Sequence, residues 1–330
     1  MRKYILLFLF VHINISAYNQ VIKGTVFDLN TKSPIYSASI YFNGTSAGTL
    51  SDQDGNFEMD VSKYISMPLT ISSLGYFSVT LTDFSTLKPI LIYLKTKLFE
   101  LNEVVVNAKS HARERKANLL IFKNEFMGTT VNAMNCEITN EEDIKFIYDS
   151  DNDTVKAFAN KPILIENKAL GYKITYYLDK FEYCKKDASF SFTGNIIFNE
   201  DLSVDETKKQ SYERKRKSAY LGSRMHFFRA LWIDDLNSAG FTVKNSANET
   251  LKYNKIVFQK DSHTKYLRYP DNLGVAYYST KVPVSYIIFL KDKVYFDANG
   301  YFDPLGVRWE GNMAQKRIAD MLPYDYSTNH

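Results

Sequence analysis

A chain of 330 residues, 45% hydrophobic and 24% charged, has globular composition and is long enough for two domains with their own cores. Basic and acidic residues nearly cancel, 41 against 37, so the net charge of +4 gives no footing for nucleic acid, which is met by a strongly basic face. The aromatic share of 15% comes from 24 Tyr and 23 Phe against 2 Trp, residues that suit half-buried pleated surfaces and so favour β structure.

At the N-terminus, Arg2 and Lys3 precede an apolar run over residues 4–11 (YILLFLFV), and small residues follow at Ser16 and Ala17. This is the pattern of a secretory signal cleaved after Ala17. The run is too short for a membrane span of about 20 residues, and no other stretch of the chain is long enough. Residues 1–17 are therefore read as a signal peptide, and the mature chain as exported to the periplasm or outer membrane with no transmembrane span. The only cysteines are Cys136 and Cys184, and neither lies at the cleavage site. No lipidated cysteine is expected. Export permits a disulfide between the two; two buried free thiols are the other reading. Their spacing is not that of a zinc site.

From residue 21 to residue 107 the chain reads as short strands with turn signals. VIKGTVFD alternates, SASIYFNG alternates and ends at Asn43-Gly44, and GTLSD leads to Asp54-Gly55. NFEMDV, PLTISSLGY, FSVTLT, PILIYLK and LNEVVVNA follow. Seven or eight strands in under ninety residues predict a small β-sandwich. The stretch SDQDGNF, residues 51–57, has the look of a calcium loop. Aligned on Gly55 as the loop's sixth position, however, it puts Leu50 at position 1 and Val61 at position 12, where acidic ligands belong. It is read as a hairpin turn in which Gly55 takes positive φ.

These residues also carry a resemblance. Gly24, Val26 and Asp28 fit G-x-V-x-D; Pro34, Ala38 and Ile40 fit P-x-x-x-A-x-I. Gly48, Thr49, Asp52, Gly55 and Phe57 fit G-T-x-T-D-x-x-G-x-F, from which Leu50 and Ser51 depart slightly, and Ser73, Gly75 and Tyr76 fit S-x-x-G-Y. Over residues 21–107 the chain resembles the carboxypeptidase-regulatory-like domain. The resemblance implies a transthyretin-like β-sandwich that is scaffold rather than active site. Such domains often precede TonB-dependent outer-membrane receptors, and LNEVVVNAK is similar to the segment where TonB adds as a strand. A receptor barrel needs hundreds of further residues, so that segment is read as the last sandwich strand.

Beyond residue 111, residues 112–127 predict a helix: Leu119, Phe122, Phe126 and Met127 recur at helical spacing and Gly128 stops it. Strands are predicted in CEITN, IKFIYDS, TVKAFAN, PILIENKALGYKITYYLDKFEY and SFSFTGNIIFN, with turns at residues 151–153 and at Gly171. Residues 205–236 predict helix, broken near Gly222-Ser223. Strands resume at FTVKN, KYLRY, VAYYS, VSYIIFL and KVYFDANGYF, and a helix over residues 313–321 ends before Pro323. The fold class expected is mainly β: a signal peptide over 1–17, a sandwich over 18–108 and a β-rich α+β domain over 109–330. Blocks such as AYLGSRMHFFRAL and KRIADMLPYDY resemble those that follow the regulatory-like domain in a group of envelope proteins. That resemblance implies one unit of architecture and no mechanism.

Three constellations invite chemistry. His111 and Glu114 have the H-x-x-E spacing of metallocarboxypeptidase ligands, but His226, His263 and His330 supply no matching third-ligand motif. His111 is read as solvated, and neither metal nor cofactor is expected. The basic run KKQSYERKRKSAY could face anionic lipid, polyanionic glycan or nucleic acid; interleaved Glu206 and Glu213 favour a solvated helix face. In AYLGSRMHFFRAL, Ser223, His226 and Arg229 fall near one another on a helix. They form the candidate functional cluster: His226 as a base, Arg229 for a carboxylate or phosphate, Ser223 as an N-cap. No G-x-S-x-G elbow accompanies them. The reading is an exported envelope protein, binding or structural rather than enzymatic, whose partner is a peptide, a glycan or an envelope protein. The alternatives are an accessory of TonB-linked uptake and a hydrolase working through the second domain.

Overall fold

The computed structural model describes residues 20–97, 108–200, 205–261, 264–278 and 284–328; side chains of residues 108–111 are not described. The signal peptide and the LNEVVVN segment at 101–107 therefore lie outside the described residues. The fold is mostly β, with small N-terminal sheets followed by a β-rich part that carries some helices.

The N-terminal part has seven described strands: β1 (Val21–Asp28), β2 (Ser39–Phe42), β3 (Gly48–Leu50), β4 (Asn56–Asp60), β5 (Leu69–Ser72), β6 (Val79–Leu81) and β7 (Ile90–Leu94). They make two sheets, β4-β1-β7 and β3-β2-β5-β6, with β1 and β7 parallel. Alternation puts Ile22 and Val26 of β1, Ile40 and Phe42 of β2, and Ile92 and Leu94 of β7 into one shared core. Gly24 stands where β1 is squeezed between its neighbours: a Cβ there would lie 2.5 Å from the Ile90 carbonyl oxygen and 2.6 Å from the Phe57 ring. Asp28 and Tyr76, from separate motif blocks, meet in a 3.0 Å hydrogen bond donated by the tyrosine hydroxyl. The Thr31 N–H and other donors around the Asp28 carboxylate hold its pKa below the usual range.

SDQDGNF is a turn, with Gly55 at φ +76°. Asp52 Oδ1 accepts from the N–H groups of Asp54 at 3.0 Å and Asn56 at 2.8 Å, the geometry of a side-chain-capped turn rather than of a metal ligand. It is not a hairpin between paired strands, because β3 and β4 belong to different sheets and the turn carries the chain across.

Helix α1 (Ala108–Met127) begins four residues earlier than the spacing predicts, and Gly128 ends it at φ +96°. Then come β8 (Cys136–Ile138), β9 (Ile144–Asp149), β10 (Thr154–Ala159), β11 (Ile163–Asn167), β12 (Tyr172–Cys184) and β13 (Phe190–Glu200). They form one antiparallel sheet, β8-β11-β12-β10-β9, with β13 along the other edge of β12. α1 lays its aromatic stripe on this sheet: Phe122 packs on Phe181 at 4.7 Å, and Phe126 packs edge-on against Tyr176 at 4.8 Å. Full burial of two such rings contributes about 1.5–3 kcal/mol each.

Helices α2 (Glu206–Tyr220) and α3 (Arg224–Trp232) follow, capped by the side chains of Asp205 and Ser223. A further core is built from β14 (Phe241–Lys244), α4 (Tyr253–Ile256), β15 (Val257–Gln259), β16 (Lys265–Leu267), β17 (Leu273–Tyr277), β18 (Ser285–Phe289), β19 (Val294–Phe296) and β20 (Val307–Gly311). The sheets are β14-β17-β18-β20 and β15-β16-β19. α3 joins the cores: Met225 packs with the α1 sheet, whereas Phe227, Phe228 and Leu231 pack into this last one.

The helix expected over 313–321 is not continuous. α5 (Asn312–Gln315) is a single turn, Lys316 and Arg317 are extended, and a 3₁₀ turn spans Ile318–Asp320. Cys136 and Cys184 are two free thiols and not a disulfide. Cys136 pairs with Asn167, next to the start of β12, while Cys184 ends β12 opposite Thr154. At about 3.3 Å per residue a strand of that length holds them far beyond disulfide reach. Among the described residues no helix is long and apolar enough to cross a membrane.

Candidate functional site

Ser223, His226 and Arg229 lie one turn apart along α3. The chain enters the helix through Gly222, whose φ of +68° and proximity to the Tyr277 ring (2.7 Å from a would-be Cβ) call for glycine. Ser223 Oγ accepts from the His226 N–H at 3.1 Å and is thereby an N-cap. The Gly222 N–H donates to His226 Nδ1 at 3.2 Å. In the neutral imidazole this puts the ring proton on Nε2 and leaves no free lone pair to act as a base. The ring is packed among Tyr220 at 4.7 Å, Phe241 at 4.9 Å and Tyr277 at 5.9 Å. Burial, with the cations Arg229 and Lys316 nearby, brings its pKa down to about 4.

Arg229 uses all three arms of its guanidinium on main-chain carbonyls. Nε donates to Asn299 at 2.9 Å, one terminal nitrogen to Tyr326 at 2.9 Å and the other to Tyr324 at 3.0 Å. Each member of the cluster holds a piece of backbone.

Two of the Arg229 arms grip a C-terminal strap over residues 316–326, whose first part, to residue 321, falls in the helix expected over 313–321. Lys316 Nζ donates to the Ala219 and Leu221 carbonyls at the C-terminal end of α2, both at 3.0 Å. Arg317 donates to the Asn124 and Glu125 carbonyls at the end of α1, at 3.0 and 2.7 Å, a cation placed where the helix dipole favours it. Asp320 accepts from Thr130 and Asn132, both at 2.8 Å. Cys136 lies close by, its thiol pushed up to about 12 by burial and the Asp320 charge.

The strap then reaches the N-terminal sandwich. The Tyr324 N–H donates to the Gly44 carbonyl at 2.7 Å, and Asp325 accepts from the Ser46 N–H at 3.2 Å and from the Ser46 hydroxyl. The same β2–β3 turn pairs with β13: Gly44 N–H to Ile196 O at 2.8 Å, Ile196 N–H to Asn43 Oδ1 at 2.8 Å and Phe198 N–H to Thr45 O at 3.1 Å. Ser66 donates to buried Asp297 at 3.1 Å, and the Tyr295 hydroxyl donates to the Ser66 carbonyl at 2.7 Å. The only sequence signal for this junction was the Asn43-Gly44 dipeptide, which reads equally as a plain hairpin turn.

Two shallow clefts border α2 and the turn into α3. One, of about 190 Å³, is lined by Lys168, Lys173, Lys208, Tyr172, Tyr212 and neighbours. The other, of about 180 Å³, is lined by Leu221, Gly222, Tyr277, Ser285, Lys316 and neighbours. Both fall below the 300–1,000 Å³ common for small-molecule sites, and Ser223, His226 and Arg229 line neither. Glu114, the second member of H-x-x-E, is exposed on α1, and the His111 side chain lies outside the described residues. Among the described residues no group of three His, Cys, Asp or Glu is arranged to hold a metal ion.

Comparison with family models decides the N-terminal part: the model of the CarboxypepD_reg-like domain matches residues 22–106. The chain carries a CarboxypepD_reg-like domain. The motif glycine at 24, the Asp28–Tyr76 pair and the Gly55 turn are thus the scaffold of that domain. No curated protein matches the chain. Among solved structures, a 9R-lipoxygenase from Cyanothece PCC8801 aligns at 10% identity with a TM-score of 0.16, over 67% of this chain and 48% of that one. A likeness so slight carries no argument about fold or function.

Proposed function

We propose that this chain is an exported cell-envelope protein that works without catalysis, as a binding or structural module for a peptide, a glycan or another envelope protein. In this reading residues 1–17 are removed on export, residues 18–108 are the sandwich and residues 109–330 form the β-rich α+β partner domain. The CarboxypepD_reg-like domain supports the placement, since that family is typical of envelope proteins.

One observation carries the non-catalytic reading: the main chain of the protein itself engages Ser223, His226 Nδ1 and all three arms of Arg229. A hydrolase built on this helix would need an imidazole lone pair within reach of the nucleophile. The test is complementation in cells lacking the gene. A chain with His226→Phe, which keeps the ring packing, restores the phenotype as well as the native chain does. Loss of the phenotype with a native thermal melt would favour the hydrolase.

A further inference from the structure

The solvent face of α2 is cationic, and the acids that would neutralise it are committed elsewhere. Lys208, Lys209, Arg214, Lys215 and Lys217 are all exposed. α2 holds two acids, Glu206 and Glu213. Glu213 is turned to Arg216, which is only 3% exposed and also draws in Glu200, at 2.7 and 2.5 Å respectively. Arg216 is fixed further by the Leu170 carbonyl at 2.7 Å and by stacking over Tyr172 at 4.2 Å. One buried arginine thus pairs with two carboxylates that remain partly exposed, and both are held by it rather than by the surface lysines. Glu206 is 3.8 Å from Lys209. Among the described residues Lys208, Arg214, Lys215 and Lys217 enter no ion pair. Lys208 and Lys215, two turns apart, share a stripe. Lys208 also lines the cleft with Lys168, Lys173 and Tyr212, where Glu166 is the acid present and Lys168 is paired with Glu137.

The helix favours a soluble polymer over a bilayer. Every exposed position on α2 is polar or charged, and Tyr212, Ala219 and Tyr220 are buried in the core. A helix that seeks membrane needs an apolar face to insert, and here that face is already covered.

We propose that the α2 face and its adjoining cleft bind a polyanionic envelope glycan through its acidic groups. This deepens, and rests on, the reading of the chain as an envelope binding module. The test is binding of the full chain to immobilised dextran sulfate and to neutral dextran across a salt series. The expected result is binding to dextran sulfate alone, with log affinity falling linearly as log salt rises. K208Q/R214Q/K215Q weakens binding by roughly tenfold or more at low salt and lowers the salt slope by about 3. The charge-matched control K63Q/K88Q/K95Q, at exposed lysines of the sandwich, retains the native slope. Equal loss in both variants, no loss in the first, or stronger binding to phosphatidylglycerol vesicles than to dextran sulfate would overturn the proposal. Cell fractionation separates the two readings: a chain found in the envelope that ignores dextran sulfate loses the glycan surface and keeps the envelope function.

Discussion

Gly44 of the β2–β3 turn and Tyr324 of the C-terminal strap are in direct contact: the Tyr324 N–H donates to the Gly44 carbonyl at 2.7 Å, and the tyrosine ring lies over the glycine. A Cβ on Gly44 would be 2.7 Å from that ring, and φ is +79°. Gly44→Ala therefore combines backbone strain with overpacking and should cost about 2–4 kcal/mol. Gly75 has φ +82° with nothing within 4 Å of a would-be Cβ, so Gly75→Ala should cost only the backbone part, about 1–2 kcal/mol. Urea midpoints of the two variants check the difference; equal losses would mean that the Tyr324 contact is loose.

Arg229 should be irreplaceable by lysine. A point ammonium cannot serve three carbonyls in different directions, so Arg229→Lys leaves part-buried acceptors unpaired and costs about 1–3 kcal/mol. Hydrogen exchange locates the damage. The Tyr324 and Tyr326 amides should exchange faster in the variant, while those of β1 stay protected.

His226 makes stability depend on pH. Its folded pKa of about 4 lies below the unfolded value of 6.5, so the unfolded chain binds the extra proton first. Its contribution is fully present above about pH 6.5 and is lost as pH falls toward 4, by up to about 3 kcal/mol. His226→Phe should flatten that part of the curve. A melt series from pH 7 to about pH 4 in which native and variant chains fall in parallel would assign the loss to other groups.

The start of α2, the break before α3, the described sandwich strands and the stop at Gly128 were legible because each has a local cause: Asp205 and Ser223 caps, period-two alternation, and a glycine at positive φ; α3 ends at Trp232, four residues short of the expected 236. β15 and β20 were not. Val257–Gln259 is half-buried or exposed throughout and shows no alternation, and Val307–Gly311 is too short for its Val307/Trp309 alternation to stand out. The expected helix over 313–321 failed for a tertiary reason. Ala314, Ile318 and Leu322 recur every four residues, as on a helix, yet Lys316 and Arg317 extend to close the ends of α2 and α1. In the candidate site, the helical neighbourhood of Ser223, His226 and Arg229 was readable. Their partners at Gly222, Asn299, Tyr324 and Tyr326 were not, because the three carbonyls that Arg229 meets are main-chain groups remote in sequence.

The cysteines should remain separate. Purified without reductant, the chain should carry two titratable thiols once unfolded. In the native state Cys136, pushed up to about 12 and bonded to the Asn132 carbonyl at 3.3 Å, should alkylate slowly at pH 8. A mass two hydrogen atoms lower in the non-reduced chain would signal a disulfide and a different β12 arrangement.

The exported-envelope reading is tested most directly by the intact mass and location of the full-length gene product in its own cells. The account predicts a chain in the envelope fraction that begins after Ala17. A chain that keeps residues 1–17 and stays with the cytoplasmic fraction would contradict it.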